Sequence, residues 1–288
     1  MVNMRILSAI ARRIRRQALG PLPDDPARLG CRQSPIAIDL AGHVALVTGA
    51  TGELGRPIAR TLAACGAKVA IHYHTDREGA QELRGELAAR GVPSYIVSGD
   101  VAELSDVSAM RREIESALGP VDIVVNNAVT WFDKAPVVAQ HAAQFNRVFR
   151  SSVLQAWATA KVFSEPMIAR RWGRIISLGT EVSSQALTDR APYTAAKCAM
   201  DGVMRSLARE LGEHNITVNQ VAPGWMITDK DRQDRDEVQP EYERGVPLGR
   251  RGYDQDVANL VAFLASDLAG FLTGVRVPIC GGNIMLEA

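Results

Sequence analysis

The chain has almost no excess charge of either sign: 33 Lys and Arg stand against 32 Asp and Glu, a formal net charge of +1 over 288 residues. Composition therefore supplies no field that would gather nucleic acid. Cysteine is scarce too. Cys31, Cys65, Cys198 and Cys280 lie in separate parts of the chain without CxxC spacing. That excludes a compact zinc knuckle and a secreted disulfide scaffold, gives no metal site, and mildly favours a reducing, cytoplasmic setting. No apolar run is long enough to cross a bilayer, and no internal repeat interrupts the text. With 47 % hydrophobic and 23 % charged residues, what is there suits one substantial globular core.

Residues 1–38 differ from the rest. Ile6, Ile10 and Ile14 share one helical face, and Arg5, Arg12, Arg13, Arg15 and Arg16 crowd the remainder until Gly20-Pro21 stops the pattern. Three readings stay open: a basic helix on a membrane surface or partner, an appendage folded back on its own domain, and an organellar targeting segment. Residues 22–38 read as an irregular linker. From 39 to 288 the chain reads as one domain.

There the text alternates strand and helix. "HVALVTG", "KVAIHYH", "PSYIVSGD", "VDIVVNNA", "GRIISLG", "ITVNQVAPG" and "GVRVPICGG" are short apolar runs separated by helix-length segments, among them 77–90, 144–168 and 191–212. Such runs imply an α/β architecture: a doubly wound, mainly parallel sheet with helices on both faces. The charged stretch Thr228–Gly245 interrupts the series as a surface excursion that could act as a lid.

The first strand runs into "TGATGELG", with Gly49, Gly52 and Gly55 spaced to turn the backbone tightly and bring helix-start amides to a pyrophosphate. A tight turn before a packed helix is the bland alternative, made weaker by the position after a buried strand. At the end of the second strand, where an acidic residue would select NAD, the chain has Tyr73, His74, Thr75 and Arg77. Arg77 could pair with a phosphate, and Asp76 need not face the ribose. NADP(H) is therefore favoured, with NAD(H) possible.

Tyr193 and Lys197, in "YTAAK", are spaced to share one helix face. A free phenol ionises near pH 10. A neighbouring ammonium favours the phenolate and eases proton exchange with a carbonyl oxygen. Thr180, just past "GRIISLG", could hold that oxygen. Trp131, Phe132, Trp225 and Met226 follow strand ends and could wall an apolar pocket, or simply pack.

Together "TGATGELG", "NNA" (126–128), "GRIIS" (173–177), "YTAAK" (193–197) and "NQVAPG" (219–224) resemble the short-chain dehydrogenase/reductase family in its classical form, over residues 38–284. The resemblance implies a Rossmann-type fold and a small-molecule carbonyl or alcohol substrate. It makes Tyr193 and Lys197 catalytic, with Thr180 at the usual Ser position and Ser152 where an Asn commonly anchors a water. It also implies a nucleotide bordered by Gly49, Thr51, Gly52, Leu54 and Gly55, by Asp100, Val101, Asn126 and Ala128, and by Pro223, Gly224 and Thr228. Glu53 replaces the middle glycine and is expected to point outward. Related enzymes assemble as homodimers or homotetramers. "AIHYHTDREGA" is similar to NADPH-dependent pteridine reductases, although Thr180 stands where those carry Asp. A ketone or 3-oxoacyl reductase is the broader expectation; a cofactor-binding protein without turnover is the alternative from another class.

Overall fold

The computed structural model describes residues 37–285, so the expected N-terminal basic helix and most of the linker lie outside the described residues. The strands are β1 (Val44–Val47), β2 (Lys68–Tyr73), β3 (Ser94–Ser98), β4 (Ile123–Asn126), β5 (Gly173–Leu178), β6 (Ile216–Pro223), β7 (Met226–Ile227), β8 (Gly252–Tyr253) and β9 (Arg276–Ile279). Seven form one sheet in the order β3-β2-β1-β4-β5-β6-β9, while β7 and β8 pair separately. Every pairing in the large sheet is parallel, so the expectation of a mainly parallel sheet is met without an antiparallel edge. This is the Rossmann-type order. All seven apolar runs of the sequence became its strands.

Parallel strands need crossovers, and the helices supply them: α1 (Gly55–Ala64), α2 (Arg77–Ala89), α3 (Leu104–Ala117), α4 (Ala142–Phe149), α5 (Gln155–Arg170), α6 (Val182–Gln185), α7 (Ala191–Leu211), α8 (Asp229–Asp234), α9 (Pro240–Glu243) and α10 (Asp254–Ala265). The four residues of β1 are all buried, because successive side chains serve opposite cores. Ala45 and Val47 join Ile58, Leu62, Leu83, Val257 and Val261 under α1, α2 and α10. Val44 and Leu46 join Met110, Phe163, Met200 and Met204 under α3, α5 and α7.

The long helix expected over 144–168 is divided. Residues Arg150–Leu154 form a π-helical turn between α4 and α5, a wide turn that helices accept mostly at functional sites. Pro166 lies inside α5 and has no amide to give the Val162 carbonyl. Arg111 fills that vacancy, its Nη1 donating to Val162 O at 2.9 Å.

The amino ends of the strands are tied for stability. Asp122 accepts from the Val44 amide at 3.0 Å and from Arg170 at 2.9 Å. The buried Arg174 guanidinium lies 4.2 Å over the Trp172 ring, which stacks on His43, and donates to Asp267. The carboxyl ends are left to the loops. Phe163 is fully enclosed in the second core. Phe163→Ala is expected to cost about 3–5 kcal/mol, read as a lowered urea midpoint with an unchanged slope.

Candidate active site

The strand order reverses between β1 and β4, and the crevice outside their carboxyl ends is where ligands enter such sheets. The turn after β1 occupies it. Gly49 has φ 58°, and a Cβ there would come 2.9 Å from Ala128 Cα; one on Gly55 would strike the Gly49 carbonyl. Only bare backbone fits, which leaves room for a bulky anion against the turn.

Thr48 and His72 fix this turn from beneath, and sequence reasoning singled out neither for the site. The Thr48 hydroxyl accepts from the Asn127 and Ala128 amides at 2.9 and 3.1 Å and donates to Gln155 at 2.7 Å. His72 is buried in β2. Its Nδ1 accepts from the Gly49 amide at 3.0 Å, so Nε2 carries the proton and donates to Gly99 O, also at 3.0 Å. Burial holds this imidazole down at about 4, so it stays neutral. A histidine facing inward within a buried strand was the available signal.

Two connected hollows result. The larger, about 430 Å³, is lined by Gly49, Thr51, Gly52, Glu53, Leu54, His74, Asn127, Ala128, Tyr193 and Lys197 among others. The smaller, about 270 Å³, shares His72, His74 and Ala128 and adds Asp100, Val101, Arg147 and Arg150. A two-lobed cleft across a glycine turn fits a dinucleotide.

At the inner end, α7 carries Tyr193 and Lys197 on one face, as their spacing requires. Lys197 is buried, its Nζ donating to Leu178 O at 2.6 Å and standing 5.7 Å from the Tyr193 ring centroid. Desolvation lowers this ammonium to about 8. Burial pushes the Tyr193 phenol up, against the Thr180 hydroxyl and the Arg190 charge, which favour its ionised form. Phe132 stacks on Tyr193 at 5.1 Å and 13°. Ser152 sits in the π-turn, fully buried, and its hydroxyl has no partner among the described residues.

Several expected positions stand apart from the two hollows. Asn126 does not line the cleft: it is buried, donating to Ser177 and accepting from Thr159, while its neighbour Asn127 faces the site and donates to the Thr48 and Gly49 carbonyls. Asn126 is the last residue of β4 and Asn127 the first beyond it, so the two side chains leave the strand end in different directions. Tyr73 and Arg77 line a different groove with Gln81, Arg84 and Tyr95, because Arg77 already belongs to α2. Asp76 caps that helix, accepting from the Gly79 amide at 2.9 Å. Thr228 caps α8 through Asp231, and Pro223 and Gly224 lie against Glu181 and Tyr242; none of the three lines either hollow. Glu53 points out of the turn as expected, accepting from the Lys230 amide at 3.2 Å. Asp100 is engaged by Arg150 at 2.9 Å and by the Ala102 amide.

A family model described as "Enoyl-(Acyl carrier protein) reductase" matches residues 49–283. The 3-oxoacyl-[acyl-carrier-protein] reductase FabG of Pseudomonas aeruginosa is 39 % identical over 249 residues, 86 % of this chain and 100 % of that protein. Its Escherichia coli (strain K12) counterpart is 37 % identical over the same coverage. The solved structure of a gluconate 5-dehydrogenase from Burkholderia cenocepacia J2315, in complex with NADP and tartrate, superposes with a TM-score of 0.79 at 29 % identity, covering 85 % of this chain and 96 % of that one. The chain belongs to the short-chain dehydrogenase/reductase family. It is therefore an NAD(P)-dependent oxidoreductase acting on a carbonyl/alcohol pair. Within this reductase fold, residues 49–283 span the glycine turn, the Tyr193–Lys197 pair and Thr180 alike.

His72 gives a pH signature. Unfolded, it takes up a proton near its ordinary 6.5; folded, it resists until about 4. The unfolded chain binds more protons in that window, so stability falls as pH drops through it, by on the order of 3 kcal/mol. His72→Gln, which cannot titrate, is expected to lose that part of the acid sensitivity, measured as the difference in urea midpoints between neutral and mildly acidic buffer.

Proposed function

We propose that this reductase uses NADPH to convert a ketone or 3-oxoacyl group to the alcohol, with Tyr193 as proton donor. The observation that carries the reading is the Tyr193 phenol beside the buried Lys197 and the Thr180 hydroxyl, at the inner end of a cleft built on a glycine turn. Bound nicotinamide supplies a hydride to the carbonyl carbon. Gly49, Thr51, Gly52 and Leu54 hold the phosphates, and Asp100, Val101 and Ala128 border the adenosine lobe. Lys197, buried beside the phenol, would hold the nicotinamide ribose with its ammonium. That charge makes the Tyr193 proton easier to give up. Thr180 donates to the substrate oxygen and stabilises the charge growing on it. Ser152, with its unpartnered hydroxyl in the π-turn, binds the water through which the proton is replaced.

Cofactor choice rests on the end of β2. Asp76, the one carboxylate there, borders the larger lobe with its Oδ1 held by the Gly79 amide at the start of α2, and His74 borders both lobes. His74 thus takes over the phosphate contact first expected of Arg77. Phe132, packed on Tyr193, gives the substrate an apolar wall, which suits the acyl groups named for the relatives. Oligomerisation fits two exposed apolar sets: Phe149 and Trp157 on α4 and α5, and Leu268, Phe271 and Leu272 near the edge strand β9. Two such faces suit a homotetramer. No helix among the described residues is long and apolar enough to cross a membrane.

Kinetics with NADPH across ketones, 3-oxoacyl thioesters and pterins test the reading. Tyr193→Phe is expected to lower kcat by about 10²–10⁴-fold while the NADP Kd holds. Lys197→Ala should lower both turnover and cofactor affinity. Thr180→Ser keeps much of the activity and Thr180→Val does not. NADP should bind at least about tenfold tighter than NAD, roughly 1.4 kcal/mol; the reverse preference overturns the cofactor assignment.

A further inference from the structure

The segment from Gly224 to Gly245 borders the substrate side, and its charge pattern suggests a loop free to open. Its contacts are of another kind. Glu181, the residue after Thr180, is buried, and among the described residues its carboxylate pairs with no cation. Its Oε1 accepts from the Tyr242 hydroxyl at 2.8 Å, and its Oε2 from the Asn283 side chain at 3.0 Å. The Glu181 amide in turn donates to Pro223 O at 2.9 Å. The Tyr242 oxygen does double duty: it also accepts from the Trp225 amide at 2.9 Å. A Cβ on Gly224 would collide with that oxygen and come 3.1 Å from Glu181 Oε2, so only glycine lets the three groups meet.

The Trp225 ring is caught from two sides. Tyr242 meets it edge-on at 5.7 Å, and the fully buried Arg251 guanidinium lies 4.7 Å from its centroid. Arg251 also donates to Met226 O at 2.6 Å and to Asp236 O at 2.8 Å. Burying a carboxylate without a cation is costly. Burial raises the Glu181 pKa against the two hydrogen bonds that lower it, and the neighbouring carboxylate helps to hold the Tyr242 phenol protonated. So expensive a contact beside Thr180 is out of proportion for an idle surface loop.

We infer that Tyr242 and Glu181 are positioning residues, which latch the Gly224–Gly245 segment to the residue next to Thr180 and so hold Trp225 fixed at the carboxyl end of β6, on the side where ligands enter such sheets. The inference rests on Thr180 and Tyr193 forming the reacting end, as proposed above. The latch acts on substrate capture rather than on hydride or proton transfer. Its loss should therefore appear in KM before kcat and in the local opening of one segment.

Tyr242→Phe keeps the ring against Trp225 and removes only the hydroxyl. Amide hydrogen exchange of the substrate-free protein should speed up about tenfold or more across 224–245, with the rest of the chain unchanged. The KM for the carbonyl substrate should rise about tenfold, kcat should fall no more than about twofold, and the NADP Kd should hold. Glu181→Gln retains an acceptor for Tyr242 and should restore most of the protection that Glu181→Ala loses. Unchanged exchange and KM in Tyr242→Phe overturn the latch, leaving Arg251, the Arg232–Asp254 pair and the Glu53 contact to hold the segment. A lowered melting temperature with exchange raised evenly over the chain overturns it too, because that marks a general packing role. The exchange arm needs no turnover, so a failed Tyr193 assignment and a failed latch give different results.

Discussion

The seam between β1 and β4 governs the rest of the molecule. The chain lays strands outward from β1 in one direction, then returns to lay them in the other, and the helices on either side part at that point. The seam must stay open for a ligand yet rigid enough to present amides. The Thr48 hydroxyl meets both demands. It receives the Asn127 and Ala128 amides from the β4 side and gives its proton to Gln155 at the start of α5. His72 does the same on the β2 side, joining the glycine turn to the end of β3. Three strand ends and one helix are thereby fixed before any cofactor arrives, a preorganisation that reduces the ordering cost of binding.

The reacting end obeys a second constraint, desolvation. Removing water lowers the ammonium of Lys197 and raises the phenol of Tyr193, so burial alone opposes the ion pair that would help proton transfer. Charge supplied at the site must tip that balance. The Leu178 carbonyl holds Lys197 meanwhile, which satisfies a buried donor without committing it. The π-turn at Ser152 packs against α7 and leaves one hydroxyl without a partner among the described residues. Polar capacity is thus left unspent where the chemistry is proposed, whereas at the opposite end of the sheet Asp122 and Arg174 are bound on several sides.

Much of this was legible in the sequence because it depends on local pattern. Apolar runs marked all seven strands of the main sheet, glycine spacing marked the turn, and the i,i+4 interval set Tyr193 and Lys197 on one face of α7. What local pattern does not carry is where neighbours in sequence part company in space. Asn126 ends β4 and turns inward to Ser177 and Thr159, whereas Asn127, just beyond the strand, meets Thr48 and Gly49. Arg77 was assigned by proximity to the β2 end, but α2 begins there and carries the side chain to another groove.

The sequence by itself determined the architecture, the glycine turn and the shared helix face of Tyr193 and Lys197, since each is written in residues a few positions apart. Only the tertiary structure decided that His72 supports the turn through the Gly49 amide, that Asp76 caps α2 while bordering the larger hollow, and that Glu181 meets Tyr242. Those partners are separated by 23, 3 and 61 positions. Even the short interval depended on where α2 starts. A hydrogen bond requires two atoms about 3 Å apart, and for the long-range pairs that distance is set by sheet order and helix packing, which periodicity does not encode.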